Sequence, residues 1–501
     1  MSNSLRASSR VLVREKIPGS AVDGMVEFLE KYYLTPALHA SRIDSYSKRG
    51  PGADRNFELR WRTGGPTAAG VPRPEQFSIS VRLTVGLDGV AIDFGGADPV
   101  TPPEEEAHRR IGDEVEVFAT TFLARAKKTS LYFVFSLGEE KSMEAPEAAR
   151  GSMNREVRKR IFAGNTVNLF LVMMLLNFAL FLFLGSYAIL AIVGAQALLL
   201  FYSDRLVLGS GNVRPDKDRP EVAVVRVAST PEVGEILAKT GEGMLSPIRG
   251  ELGRAISERT IQTPETKSKI HDILVRNRVP CSLDDIEITV RSPYHMVRAA
   301  AEKFHLPVPK ISILNTPLDN AAATGISYGR SSISITAGAL EDLDDDQLTS
   351  VIGHELGHVK GRDPLVLFFA TMTIYLGGPY LWAPLILRLG FFYYFVAFGL
   401  VYTVGKFLET RADTQSMVVL GNPSVLASAL TNIGFRQLYF ERYSRRYRVL
   451  DWLRFDPHPP MYFRVGRLSR FASKGGQVKH ALLVSIRDCV AGFFGALVGM
   501  G

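Results

Sequence analysis

The chain has 501 residues, enough for two or three domains, and its 59 Lys plus Arg against 51 Asp plus Glu give a net charge of +8. No stretch combines a basic patch with base-stacking aromatic residues, so the composition argues against nucleic-acid binding. Two cysteines, Cys281 and Cys489, stand far apart, which argues against a disulfide framework or a thiolate metal site. The N-terminus lacks an apolar segment, which argues against a cleaved signal peptide.

Residues 1–140 are predicted to form a soluble α+β domain whose role the sequence does not define. The segment 57–63 alternates like a strand, and 77–94 reads as a hairpin that turns at Leu87-Asp88-Gly89. A long helix and a closing strand at 131–137 follow. Residues 141–160 form a charged linker that ends in a basic cluster directly before an apolar region.

Apolar stretches predict about four transmembrane helices. Ile161–Tyr202 carries no charge and is about twice as long as one span requires, so 161–203 is predicted to be a membrane hairpin. A second hairpin is predicted over 364–405. Basic residues flank both hairpins, which places the N-terminus, the active site and the C-terminal domain on the cytosolic side of the cell membrane. The apolar tail, 481–501, is compatible with an interfacial helix or a fifth span.

The segment 204–363 is predicted to be the first cytosolic part of an enzyme, because it contains HELGH. His354 and His358 lie one helical turn apart, so both imidazoles can reach one zinc ion, with Glu355 beside them as a general base. Asp344 is the expected helix cap and Gln347 completes a capping box. Gly361 and Pro364 are expected to break the helix.

A third metal ligand must come from elsewhere. Asp363 is a weak candidate, and no Asp, Glu, His or Cys occurs between it and Glu409. Glu409 and Asp413 are four residues apart on one helical face, so Glu409 could bind zinc while Asp413 orients a ligand histidine. They begin a second cytosolic part, 406–480, whose basic-aromatic run at 440–455 is predicted to lie on the membrane surface.

HELGH followed by two apolar stretches and ExxAD resembles the HtpX-type membrane zinc metalloproteases, relatives of the CAAX prenyl proteases and Oma-type proteases. LDNAAATG at 318–325 and HPPMYFRVGRL at 458–468 match two further motifs. The resemblance covers about residues 160–205 and 290–470. It implies that Asn320 and His458 contact the substrate or the oxyanion, and that the strand at 331–336 offers its edge to an extended substrate.

The predicted fold is a multi-domain membrane protein. It has a mainly α zinc-protease domain with a small edge β-sheet, about four transmembrane helices and an N-terminal soluble α+β domain. The predicted function is an endopeptidase with one Zn²⁺ per chain that cleaves cytosolic segments of damaged membrane proteins. Its partners would be protein or peptide substrates and the lipid bilayer, with no nucleic acid; the oligomeric state is left open. The alternatives are a prenyl-peptide protease, a group that usually has more than four spans, and an inactive membrane scaffold or sensor.

Overall fold

The structure is a computed structural model. The residues that it describes are 9–13, 17–40, 42–49, 55–62, 78–95, 102–137, 179–180, 182–228, 242–256, 263–380, 388, 391–473, 478 and 480–499. The predicted linker at 141–160 lies outside them.

The chain divides into two compact units. The first comprises Met1–Leu131, Arg226–Arg249 and Thr263–Glu287, and the second comprises Tyr132–Val225, Gly250–Gln262 and Ile288–Gly501. Parts of the segment predicted as the first enzyme half therefore group with the N-terminal residues.

Eleven strands occur in the described residues: β1 (Ser9–Val13), β2 (Ile43–Arg49), β3 (Arg55–Arg62), β4 (Ser78–Gly86), β5 (Gly89–Gly95), β6 (Leu131–Ser136), β7 (Val222–Val227), β8 (Ile286–Arg291), β9 (Lys310–Leu314), β10 (Ala321–Ser327) and β11 (Arg330–Thr336). The α-helices in the same part of the chain are α1 (Val22–Leu29), α2 (Thr35–His39), α3 (Pro102–Thr129), α4 (Ala188–Phe201), α5 (Ser203–Ser210), α6 (Glu242–Ile256), α7 (Pro264–Arg276), α8 (Pro293–Phe304), α9 (Ala337–Asp342), α10 (Asp345–Gly361), α11 (Asp363–Tyr380), α12 (Phe391–Leu420), α13 (Pro423–Tyr443), α14 (Arg445–Leu453), α15 (Met461–Ser473) and α16 (Ala481–Val498).

The first unit contains a five-stranded antiparallel sheet in the order β1-β5-β4-β3-β2. The predicted hairpin is confirmed, because β4 and β5 pair up to Gly86 opposite Gly89. Alternate residues of the sheet, such as Phe57 and Leu83, are fully buried together with Met25 of α1. This is the predicted α+β arrangement.

The second unit contains a three-stranded sheet in the order β10-β11-β9. Its central strand, β11, pairs antiparallel with β10 and parallel with β9. The expectation that residues 331–336 offer a free edge is therefore wrong, because both edges of β11 are already paired. The edge strand is β10. The predicted closing strand of the N-terminal domain, now β6, instead pairs with β7 in a separate sheet of order β6-β7-β8.

Two helices of the second unit, α10 and α12, approach each other closely. A Cβ added at Gly357 would lie 3.0 Å from Cα of Ala412, and one added at Gly353 would lie 2.3 Å from Leu420 Cδ1. Glycine at these positions of α10 therefore allows the near contact of the two helices. The thirty residues of α12 continue through the predicted boundary between the second hairpin and the second enzyme half at 405/406.

The four predicted membrane spans are not confirmed. Among the described residues, one helix, α16, is long and apolar enough to cross a membrane. A second candidate arises if α4 and Ser203–Gly209, bent by 57°, count as one span, and α11 supplies only a shorter apolar segment, Asp363–Thr373. Residues 161–178 and 181 of the first predicted hairpin, and 381–387, 389 and 390 of the second, lie outside the described residues.

Candidate metal centre

The local sequence around α10 explains its ends. Asp344 accepts a hydrogen bond from the backbone N–H of Gln347 at 2.7 Å, and the Gln347 side chain accepts one from the N–H of Asp344, so the predicted capping box is present. The helix ends at Gly361, and Arg362 adopts a left-handed conformation with φ of 52°. The helix thus ends before Pro364, as expected. Pro364 lies in the first turn of α11, where proline lacks only an N–H that has no helical partner.

Three side chains converge at the centre of the second unit. Nε2 of His354 lies 3.3 Å from Glu409 Oε2, Nε2 of His358 lies 3.2 Å from Glu409 Oε1, and the two Nε2 atoms are 3.1 Å apart. The three ligand atoms fit within 4.8 Å of one another. The structure therefore brings the three predicted zinc ligands together from α10 and α12.

The far side of His354 is supported by a carboxylate. Asp413 Oδ1 lies 2.8 Å from His354 Nδ1. Arg464 of α15 binds the same carboxylate with two hydrogen bonds, from Nε at 2.9 Å and from Nη2 at 2.7 Å. Asp413 is thus placed where the sequence suggested. Arg464 lies in the HPPMYFRVGRL segment, and the sequence alone assigns no role to it.

The far side of His358 has a matching support. Its Nδ1 lies 2.7 Å from Asp363 Oδ2, and Arg411 of α12 donates to the other oxygen of that carboxylate. Asp363 is therefore a partner of a ligand histidine and is absent from the ligand cluster that the described residues form. The sequence feature that could have indicated this contact is the position of Asp363, five residues after His358 and just past the end of α10.

The side chain of Glu355 is directed at the edge strand. Its Oε2 accepts a hydrogen bond from the backbone N–H of Ala323 in β10 at 2.7 Å. In an antiparallel pair, alternate residues point their backbone groups away from the partner strand. Ala321 and Gly325 therefore present their backbone groups on the same edge as Ala323, and no strand in the described part of the chain pairs with this edge.

The two tentative substrate residues occupy different settings. His458 Nε2 lies 3.7 Å from Glu409 Oε1, and its Nδ1 lies 2.9 Å from Asp456 Oδ1, while more than half of its side chain is exposed. Asn320 is exposed, and its described hydrogen bonds involve its backbone and Thr336. His458 is therefore beside the three ligand residues, whereas Asn320 lies just before the edge strand.

Burial and neighbouring charges shape the electrostatics of this centre. Burial lowers the pKa of His354, but Asp413 and Glu409 outweigh it and raise that pKa to about 9. Burial likewise lowers the pKa of His358, yet Glu409 and Asp363 drive it well above the usual value. Burial alone would raise the pKa of Glu409, but His458 and His358 hold it well below its usual range. Burial raises the pKa of Glu355.

These residues fit a zinc ion. Two imidazole nitrogens and one carboxylate are a common three-ligand set for zinc sites that leave one position open. Each histidine has its second nitrogen next to an aspartate, which fixes the ring and raises its basicity as a ligand. The carboxylates around the two rings favour positive charge at the point where the ligand atoms meet.

An HExxH helix with an acidic ligand from a second helix defines this unit as a metallopeptidase-type domain. The sequence profile of Peptidase family M48 matches residues 293–472. An HtpX protease homolog of Methanopyrus kandleri is 30% identical over 219 residues, covering 36% of this chain and 67% of that relative. The chain belongs to peptidase family M48 and to its HtpX-type members.

Other relatives align over a shorter region. The HtpX homolog of Moorella thermoacetica is 33% identical over 158 residues, 28% of this chain and 53% of its own length. Protease HtpX of Legionella pneumophila is 30% identical over 159 residues, 28% of this chain and 57% of its own length. The chain thus spans about half the length of the first curated relatives that it matches.

Proposed function

We propose that the protein is a zinc-dependent endopeptidase of the membrane that cleaves cytosolic segments of membrane proteins. The observation that carries this proposal is the convergence of His354, His358 and Glu409 within 4.8 Å, with Glu355 adjacent on the same helix. When bound, zinc supplies the positive charge that acidifies a water and polarises a peptide carbonyl. The three ligand residues would hold the ion.

The proton transfers belong to Glu355. Its carboxylate would take a proton from the attacking water and deliver it to the leaving amine. The hydrogen bond from Ala323 to Glu355 Oε2 supports this role, because it places the base against the strand on which a substrate would lie. Asp413 and Asp363 would keep the two histidine rings oriented.

The substrate would bind in an extended form along β10. Ala321 and Gly325 offer backbone donors and acceptors on this edge, and Ala323 offers its carbonyl, because its N–H is bound to Glu355. A peptide can add to such an edge as a further strand. Asn320 at the start of this strand is our candidate for contact with the substrate. His458, at the exposed side of the three ligands, is our candidate for contact with the developing oxyanion.

The sequence supports the proposed membrane attachment and orientation. The charge-free stretches and their basic flanks support a multi-pass protein with its metal centre on the cytosolic side. One apolar helix among the described residues and the HtpX-type relatives are consistent with this proposal. Damaged or misassembled membrane proteins are the proposed substrates, by family resemblance.

The test compares wild type with E355Q for cleavage of an unfolded protein, after purification in detergent and loading with zinc. We expect E355Q to keep bound zinc but to lose activity by about 10²–10⁴-fold, the usual contribution of a general base. E302Q, at an exposed glutamate of α8, is the control and should cleave like wild type. Equal cleavage by E355Q and wild type would refute the assignment of the base. Inactive proteins without bound metal would favour a scaffold.

A further inference from the structure

A groove between α13 and α14 is separate from the metal centre and has a volume of about 590 Å³. Its wall from α13 includes Arg436 and Phe440, and its wall from α14 includes Tyr447 and Leu450. The rings of Phe440 and Tyr447 lie with their centroids 5.5 Å apart. The groove thus combines an arginine with large apolar side chains.

The groove lining also includes a second arginine next to an exposed leucine. Leu453 is 58% exposed, and Arg454 follows it with 63% of its side chain exposed. The acidic residue in the lining, Asp451, is buried and lies 3.1 Å from Arg454 Nη1. The solvent therefore meets two arginines and an apolar surface, with the one acidic side chain withdrawn.

Contacts between the end of α14 and α12 indicate where the groove lies relative to the predicted membrane span. Residues 391–405 of α12 carry no charge, and Lys406 is the first charged residue after them. Lys406 Nζ donates to the carbonyl of Arg454 at 3.0 Å, and the ring of Phe455 lies 5.7 Å from that of Tyr402. Phe455 also faces Gly399, two helical turns before Lys406. The end of α14 therefore lies beside the C-terminal end of the charge-free half of α12, next to Lys406.

We infer that the α13–α14 groove binds the headgroup and upper acyl chains of an anionic phospholipid at the membrane surface. The inference rests on the proposed membrane location. Arg436 and Arg454 would contact the phosphate, since guanidinium groups bind phosphate oxygens in pairs. Phe440, Leu450 and Leu453 would contact the chains, as the apolar face of an interfacial helix does. An anionic phospholipid is favoured because the two arginines are positively charged and the cytosolic leaflet is rich in anionic lipids.

The test uses the full chain in a neutral detergent. Wild type is incubated with equimolar phosphatidylglycerol and phosphatidylcholine of identical acyl chains, and retained lipids are counted by native mass spectrometry. We expect phosphatidylglycerol to be retained with about tenfold preference, which the R436Q/R454Q double variant loses. R446Q, at an exposed arginine of α14 outside the groove lining, should keep the preference.

Further measurements distinguish lipid binding from binding of a free phosphate ion. Millimolar inorganic phosphate should not displace the lipid, and displacement would reassign the groove to a phosphate ion. Equal retention of both lipids by wild type, or an unchanged preference in the double variant, would overturn the inference. If the double variant misfolds, the comparison of the two lipids on wild type still tests the inference, because that comparison needs no variant. E355Q should retain lipid like wild type, so failure of this site is distinguishable from failure of the proposed catalysis.

Discussion

Asp363 Oδ2 lies 2.7 Å from Nδ1 of His358, so the residue that begins α11 supports the second histidine of α10. Asp413 Oδ1 lies 2.8 Å from His354 Nδ1. Both aspartates are almost completely buried, and each is bound by an arginine from another helix. The geometry of the metal centre therefore depends on residues from four helices, of which α10 and α12 supply the ligands.

The contact between Asp363 and His358 should contribute to metal affinity. Asn at 363 keeps the shape of the side chain but removes the negative charge next to the ring. We expect D363N to bind zinc about 10–100-fold more weakly than wild type, the usual cost of losing such a partner. Competition with a chromophoric chelator on the purified protein measures this affinity.

D346N is the matched control for this change, because Asp346 is an exposed aspartate in the first turn of α10. It should bind zinc like wild type. Wild-type affinity in D363N would show that the Asp363 contact does not support the ligand.

The close approach of α10 and α12 at Gly357 should also be necessary for the site. An alanine Cβ at 357 would lie 3.0 Å from Ala412 Cα and 3.2 Å from its carbonyl oxygen, so the backbone of α12 would have to shift. Glu409 lies on the same helix one turn earlier. We expect G357A to destabilise the protein by about 1–3 kcal/mol and to weaken zinc binding.

Gly466 offers a matched comparison, since it is an exposed residue within α15 and an added Cβ there would meet no atom within 4 Å. G466A should raise the free energy of unfolding by about 0.5–1 kcal/mol. Thermal unfolding and chelator competition measure both variants. If G357A behaves like G466A, the helix contact is not a constraint on the metal centre.

Removal of the metal should destabilise wild type more than a variant that lacks a ligand. A bound ligand at a thousandfold excess over its Kd stabilises the folded state by about 4 kcal/mol. We expect EDTA to lower the unfolding temperature and abolish cleavage in wild type, and added zinc to restore both. E409Q should be inactive, and EDTA should leave its unfolding temperature unchanged. An equal response of E409Q and wild type would exclude Glu409 as a ligand.

Local spacing predicts which residues of the candidate site share a helical face. The positions of His354, Glu355 and His358 follow from helical periodicity, and Glu409 with Asp413 from the same periodicity in a second helix. The capping box of α10 was likewise readable from two residues. The pairs within each helix depend on neighbours within five positions of the chain, where the helix itself fixes the geometry. The meeting of Glu409 with the two histidines depends on the packing of α12 against α10.

Features that depend on distant pairing were not readable from the sequence. The alternating pattern at 331–336 identifies a strand, but a pattern does not state which strands lie on either side of it. The role of Arg464 depends on where α15 packs, and that of Asp363 on the left-handed residue that separates two consecutive helices. Each of these three features can be identified only from the three-dimensional structure.

A buried glutamate outside the metal centre should give the protein a measurable pH dependence. Glu441 accepts hydrogen bonds from the backbone N–H groups of Met461 and Tyr462 at the start of α15. Burial and the neighbouring Asp451 raise its pKa from 4.5 to about 7. The folded state therefore binds more protons than the unfolded state between these pH values. Stabilisation from this group is complete below about pH 4.5 and is lost as the pH rises through about 7.

E441Q removes this titration. We expect the unfolding free energy of wild type, relative to that of E441Q, to fall between pH 5 and 7 by up to about 1.4 kcal/mol per pH unit. E302Q, at an exposed glutamate of α8 next to Arg298, should show no such change relative to wild type. Thermal unfolding followed by tryptophan fluorescence in detergent across this range measures the three proteins. A difference between wild type and E441Q that stays constant with pH would mean that Glu441 titrates normally and that burial does not hold its proton.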